Sequence, residues 1–152
     1  MEPIMRFIAY VRNERRELVD DNWDDYLSTI ELADDVPTAS LRGVEEFSHV
    51  EIVFFAQLAE NVPPGPWHRR PRGNPEWPDV GIFAQRNKDR PNRLMLSVVA
   101  VESVNARSLV VRGLDAINDT PVLDIKPVYS WSGPRGELRV ASWSEELGKN
   151  YF

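Results

Sequence analysis

Apolar and polar positions alternate with a period of two through many short segments of this chain, and that period predicts strands rather than helices. The segments are IMRFIAYVR (4–12), YLSTIEL (26–32), HVEIVFFA (49–56), VGIFAQR (80–86), the long LMLSVVAVESV (94–104), SLVVRGL (108–114) and PVLDIKPV (121–128). NARS (105–108) turns the fifth strand into the sixth. Helical signals are few. Pro37 sits early in PTASLRG (37–43), which predicts a short helical turn. Ser142 and Glu145 have capping-box spacing and predict a short C-terminal helix over SWSEELGK. Many short strands with little helix predict a mainly β fold, a single small barrel or curled sheet over residues 1–152. A doubly wound α/β fold is excluded, because long alternating helices and a glycine-rich first turn are both missing. NVPPGPWHRRPRGNPEWPDV (61–80) carries six prolines and two glycines and reads as an irregular excursion between strands.

Composition narrows the chemistry. The chain has 152 residues, 42% of them hydrophobic, enough for one domain with its own core. It has no cysteine, so disulfides, zinc–thiolate sites and thiol nucleophiles are excluded. Two histidines, His49 and His68, make a histidine-rich metal site an unpromising reading, and no metal is expected. No run of eighteen apolar residues exists, so no membrane span is expected. Glu2 and Pro3 precede a short strand-like run, a pattern unlike a signal peptide, and a cytoplasmic protein is expected.

Charge is uneven. The formal net charge is −6, which argues against indiscriminate nucleic-acid binding. Between His68 and Arg93, however, seven basic residues (Arg69, Arg70, Arg72, Arg86, Lys88, Arg90, Arg93) face three acidic ones (Glu76, Asp79, Asp89), a local +4. Such a sector is either a loop neutralised by neighbouring carboxylates or a site for an anionic partner.

No GxSxG, P-loop or HExxH motif is present. Two acidic stretches remain. In GLDAINDTPVLDIKP (113–127), Asp115, Asp119, Asp124 and Lys126 gather near strand ends. Carboxylates there either take a ribose diol or an ammonium group, or serve the turn itself, and Asp119 reads as turn chemistry. Asp124 alternates with Leu123 and Ile125, so it needs a partner such as Lys126 or a ligand. VDDNWDDY (19–26) sets five acids or amides around Trp23. That pattern suits a cationic ligand, or an acidic loop with the indole packed on the core.

GIFAQRNKDRPNRLMLS (81–97), followed about twenty residues later by GLDAINDTPVLDIKP, resembles the signature of the TrmO (YaeB, TsaA-like) family. Phe7–Arg12 is similar to that family's opening IGxIRS strand, and Leu41–His49 to its GLExFSH segment. The resemblance runs in order from Arg6 to Tyr129. It is strongest to a branch with DDxW and GNPxWPxVGIFAQR segments. It implies a small β-barrel methyltransferase that uses S-adenosylmethionine, forms a homodimer and, in its named members, N6-methylates threonylcarbamoyladenosine beside the tRNA anticodon. By position, it implies cofactor contacts at Asp20, Asp21, Asn22 and Trp23, at Ala56 and Gln57, at Arg86, at Leu96 and along Gly113, Leu114, Asp115 and Ala116. Arg86 is the candidate for the carboxylate of the methionine end. Lys88, Arg90 and Arg93 are candidates for the acceptor, and Asp124 for a general base.

The chain departs from the family pattern in places. Asp-Asp-Asn-Trp stands for a Pro-Arg-Gln contact, Ala56 for a frequent histidine, and Met95 for a glycine. The tRNA enzymes of the family also carry a further C-terminal domain. Three functions stay open: a methyltransferase for a tRNA adenosine, one of the same fold for a small metabolite or nucleoside, and a non-catalytic S-adenosylmethionine-binding module.

Overall fold

A computed structural model describes residues 1–59 and 67–152. The strands are β1 (Ala9–Arg12), β2 (Leu27–Leu32), β3 (His49–Phe55), β4 (His68–Arg69), β5 (Val80–Gly81), β6 (Leu94–Val104), β7 (Ser108–Arg112) and β8 (Pro121–Pro127), followed by one helix, α1 (Ser142–Gly148). Six strands close into an antiparallel barrel in the order β1-β2-β7-β6-β3-β8, and β4 and β5 form a separate two-stranded ribbon. Closure leaves the barrel strands no unpaired edge. The alternation read from the sequence becomes the inside and outside of this barrel. Val50, Ile52 and Phe54 of β3 are buried while Glu51, Val53 and Phe55 alternate outward. Ile30, Leu109, Val111, Val99, Val11 and Val122 fill the interior from the other strands. Each such side chain contributes about 1.5–3 kcal/mol by leaving water.

Two bulges adjust the register. One falls between Val101 and Ser103 on β6, where Glu102 is the extra residue against β7. The other lies on β8: Ile52 pairs with Ile125 and Val53 with Asp124, but Phe54 then pairs with Val122. The extra residue, Leu123, turns the strand by one position, so both Val122 and Ile125 pack against the core.

Three expectations need correction. VGIFAQR is not a seven-residue strand: only Val80–Gly81 pairs, and Ile82–Ala84 forms a 3₁₀ turn. The turn buries Ile82 and is closed by the Gln85 N–H donating to the Ile82 carbonyl. Strand-like composition failed here because the partner β4 offers only two residues. The first strand begins at Ala9 rather than Ile4. Helix α1 has no capping box, because Ser142 is already helical and Ala141 occupies the cap position without a side-chain bond. PTASLRG does form a 3₁₀ turn, over Thr38–Leu41. Of the proline-rich excursion, residues 61–66 lie outside the described residues. Residues 67–80 hold β4 and a 3₁₀ turn over Pro71–Gly73.

Beyond β8, every residue from Tyr129 to Ser142 is exposed, and α1 then returns to the barrel end beside Trp23. Among the described residues, no helix is long and apolar enough to cross a membrane.

Candidate functional site

One end of the barrel opens into a cavity of about 750 Å³, within the size range of small-molecule sites. Five parts of the chain meet there: the 18–23 loop, the end of β3 with Ala56–Ala59, the 69–72 stretch, the 83–98 connection with the start of β6, and the 115–120 turn. Segment 143–152 closes one side with Trp143, Leu147, Tyr151 and Phe152.

The 18–23 loop is built around Arg15, which is 7% exposed. Its guanidinium lies 3.7 Å from the Trp23 ring and donates to the carbonyls of Val19 (2.6 Å) and Asp21 (2.8 Å). The indole is 5% exposed, so Trp23 packs on the core and lines the cavity together. The cation on its face belongs to the protein. Its Nε1–H is buried and has no acceptor among the described residues.

The 113–120 turn depends on Asn13, whose amide donates to the Ser28 hydroxyl (2.9 Å) and the Ala116 carbonyl (2.8 Å). Left-handed backbone at Gly113 (φ 83°) and Asp119 (φ 66°) reverses the chain at either end. Asp119 serves the turn: its N–H donates to the Val11 carbonyl at 2.8 Å and its carboxylate pairs with Arg12. Asp115 is thereby presented to the cavity. One of its oxygens accepts from the Ser97 hydroxyl, the other from the Tyr151 hydroxyl at 2.5 Å. Burial pushes the Tyr151 phenol up, and the charge and hydrogen bond of Asp115 push it further, so it stays a donor.

The basic sector divides. Arg69 pairs with Asp89 at 3.2 Å and Arg72 with Asp21 at 2.8 Å, so these two are neutralised within the protein. Arg70 donates to the Trp77 carbonyl, and Arg90 to the Gln85 carbonyl at 2.9 Å. Arg86 lines the cavity, donates once, to the Leu96 carbonyl at 2.7 Å, and makes no ion pair among the described residues. A guanidinium has five N–H donors, so most of its capacity faces solvent and cavity. The cavity thus has a carboxylate region at Asp20 and Asp115 and a cationic region at Arg86, Lys88 and Arg90.

Of the residues singled out from the sequence, Asp20, Trp23, Ala56, Gln57, Arg86, Lys88, Arg90, Leu96, Asp115 and Ala116 line this cavity, as does Met95. Asp21, Asn22, Gly113, Leu114 and Arg93 do not. Asp21 holds Arg72, Asn22 turns the loop with φ 62°, and Leu114 is 1% exposed in the barrel core. Arg93, with φ 52°, offers its carbonyl to the Ala56 N–H at 3.0 Å. Asp124 also stands outside the cavity lining: it pairs with Val53 between β3 and β8, and its carboxylate meets Lys126 at 2.8 Å, one of the partners its position called for. Arg15, Asn13, Ser97 and Tyr151 were not legible in the sequence and carried no local signal. Their partners lie up to 105 residues away, as for Asn13 and Asn118. Both histidines stand outside the cavity, His49 bonded to Ser48 at 2.8 Å and His68 to Asp79 at 2.9 Å. Among the described residues no group of three histidines or carboxylates could hold a metal ion.

Residues 21–132 match the tRNA-methyltransferase O N-terminal domain family. A probable S-adenosyl-L-methionine-binding protein VirR of Rhizobium radiobacter is 37% identical over 120 residues, 74% of this chain and 61% of its own length. The human tRNA (adenine(37)-N6)-methyltransferase is 37% identical over 103 residues, 67% of this chain and 23% of that protein. The crystal structure of TrmO from Pseudomonas aeruginosa superposes with a TM-score of 0.75 at 28% identity, covering 91% of this chain and 61% of that one. The chain therefore spans less than two thirds of the length of these relatives. With its closed barrel, its ordered motifs and this match over most of its residues, the chain belongs to the TrmO family.

Proposed function

We propose that this protein is a methyltransferase that binds S-adenosylmethionine in the barrel-end cavity. The observation that carries the reading is the convergence of Trp23, Ala56–Gln57, Arg86, Leu96 and Asp115, from four distant segments, on one cavity with carboxylate and cationic regions. The residues fit such a zwitterionic cofactor. Asp115 and Asp20 suit ribose hydroxyls or the positive centres, Arg86 suits the carboxylate, and Trp23, on the same lining, carries a buried Nε1–H with no acceptor among the described residues. When bound, the cofactor supplies an electrophilic methyl group on a sulfonium. This chain's residues hold donor and acceptor aligned for in-line displacement, which is where most of the rate arises in such a reaction. Asp115, fixed by two hydroxyls, keeps one orientation while it does so.

The acceptor we favour is a modified adenosine in tRNA, N6-methylated as the named activity of the relatives describes. Lys88 and Arg90 on the cavity wall suit its phosphates. A small nucleoside or metabolite is the second reading, favoured by Met95, whose side chain stands on the cavity wall and narrows it. We also propose a homodimer. Trp131, Leu138 and Val140 are 70%, 69% and 48% exposed on the run between β8 and α1 and suit burial against a second copy. The same reading places the protein in the cytoplasm.

The test is incubation with methyl-labelled S-adenosylmethionine and total tRNA. Label in tRNA adenosine is the expected result. Cofactor binding with unlabelled tRNA would move the reading to the small acceptor, and no cofactor binding would end both.

A further inference from the structure

The role of segment 142–152 follows from its contacts. It is tied to the barrel end at four points. The Asn22 N–H donates to the Asn150 carbonyl and the Trp23 N–H to the Tyr151 carbonyl, each at 3.0 Å. The Trp77 indole donates to Glu146 at 3.3 Å, and the Trp77 and Trp143 rings lie 6.4 Å apart. The Phe152 ring packs edge-on to Tyr151 at 4.9 Å and lies beside Gly113. The fourth tie is chemical: Tyr151 donates to Asp115. The first three ties use backbone groups, the Trp77–Glu146 side-chain bond and ring packing, and none of them uses the phenol oxygen. Position 151 nevertheless carries a hydroxyl, and that hydroxyl is aimed at the one carboxylate that the 113–120 turn presents to the cavity.

We propose that segment 142–152 is a wall of the ligand site, and that Tyr151 is a positioning residue whose hydroxyl fixes Asp115 in its binding orientation. A carboxylate on a turn rotates freely about its χ angles, and a ligand must immobilise it on binding. Ser97 and Tyr151 immobilise it beforehand, one on each oxygen, and still leave lone pairs for a ligand, since an ionised carboxylate has about four acceptor sites. The phenol suits this task because it remains protonated. Burial raises it first, Asp115 and Asp20 raise it further, and only Arg72 opposes them. It therefore remains a donor above the pH at which an ordinary tyrosine ionises.

The proposal rests on the cofactor reading, so its test has one readout with ligand and one without. The variants are Tyr151→Phe and Asp115→Asn. Without ligand, the 13Cζ resonance of Tyr151, identified by its loss in Tyr151→Phe, stays in its protonated position past the ordinary tyrosine range and titrates at lower pH in Asp115→Asn. With ligand, calorimetry with S-adenosylmethionine gives a Kd weakened about tenfold or more in Tyr151→Phe, the scale of a lost hydrogen bond to a charged group. Hydrogen exchange at the Asn22 and Trp23 amides stays slow in that variant, because those bonds use backbone carbonyls. A Kd within twofold of the parent overturns the positioning role. Weaker binding together with exposed Asn22 and Trp23 amides also overturns it, since Tyr151 would then be a mere tether. If the parent binds no S-adenosylmethionine, the cofactor reading falls. In that case an ordinary Tyr151 titration, unaffected by Asp115→Asn, overturns the pairing, and a displaced one upholds it.

Discussion

Gly113 comes so close to Asp24 that a Cβ placed on it would stand 2.6 Å from the Asp24 Oδ1. The glycine has φ +83°, a backbone conformation that side chains disfavour, and it begins the turn that carries Asp115. Two demands meet at this residue, a left-handed bend and a close approach, and only the first is intrinsic to the backbone.

Gly113→Ala is therefore expected to cost about 1–2 kcal/mol in urea denaturation, the penalty for a left-handed residue with a Cβ. The Asp24 carboxylate is exposed and can rotate away. Adding Asp24→Ala should accordingly restore little of the loss; full restoration would assign the cost to the contact instead.

Arg15→Ala removes the stacking cation from Trp23 and the donors to Val19 and Asp21. The expected loss is about 2–3 kcal/mol, combining a desolvated cation–π contact with freed carbonyls. Because the same loop forms a cavity wall, S-adenosylmethionine binding should weaken as well, read by calorimetry at a temperature where the variant is folded.

Arg86→Ala and Asp124→Asn form a matched pair. The first removes a cavity-lining cation that makes no ion pair among the described residues and is expected to weaken S-adenosylmethionine binding by about tenfold or more. The second breaks only the outer-face pair with Lys126 and should leave the Kd within twofold. Equal effects from the two variants would remove the assigned role of Arg86.

The Tyr151 phenol gives the fold an alkaline dependence. Its folded-state value is raised above the ordinary 10.0, so the folded protein keeps a proton that the unfolded chain releases. The contribution is present in full below about pH 10 and is lost as pH rises through the folded value, by at most about 1.4 kcal/mol per pH unit. Thermal unfolding at stepped pH should show the parent declining above pH 10 more steeply than Tyr151→Phe.

The barrel was legible because period-two alternation survives in β1, β2, β3 and β7 and is broken only locally, by bulges, in β6 and β8. Val50, Ile52 and Phe54 point inward for the reason that the sequence alternates there. The reading failed where pairing, rather than pattern, decides. VGIFAQR has strand composition, but its partner is two residues long. Ser142 has the spacing of a cap, but the chain enters α1 one residue earlier. Leu123 has the parity of a core residue beside Ile125, but it is the extra residue on β8 and Val122 pairs with Phe54 in its place.

The sequence by itself determined the fold class, the family and several of the segments that supply the cavity, though not segment 143–152, because those reside in local periodicity and in motifs of contiguous residues. Only the tertiary structure decided which member of each segment faces the cavity, that Arg69 and Arg72 are neutralised while Arg86 is not, and that Tyr151 reaches Asp115. Those outcomes depend on distances between residues far apart in the chain, and they are set by barrel closure, bulges and left-handed turns.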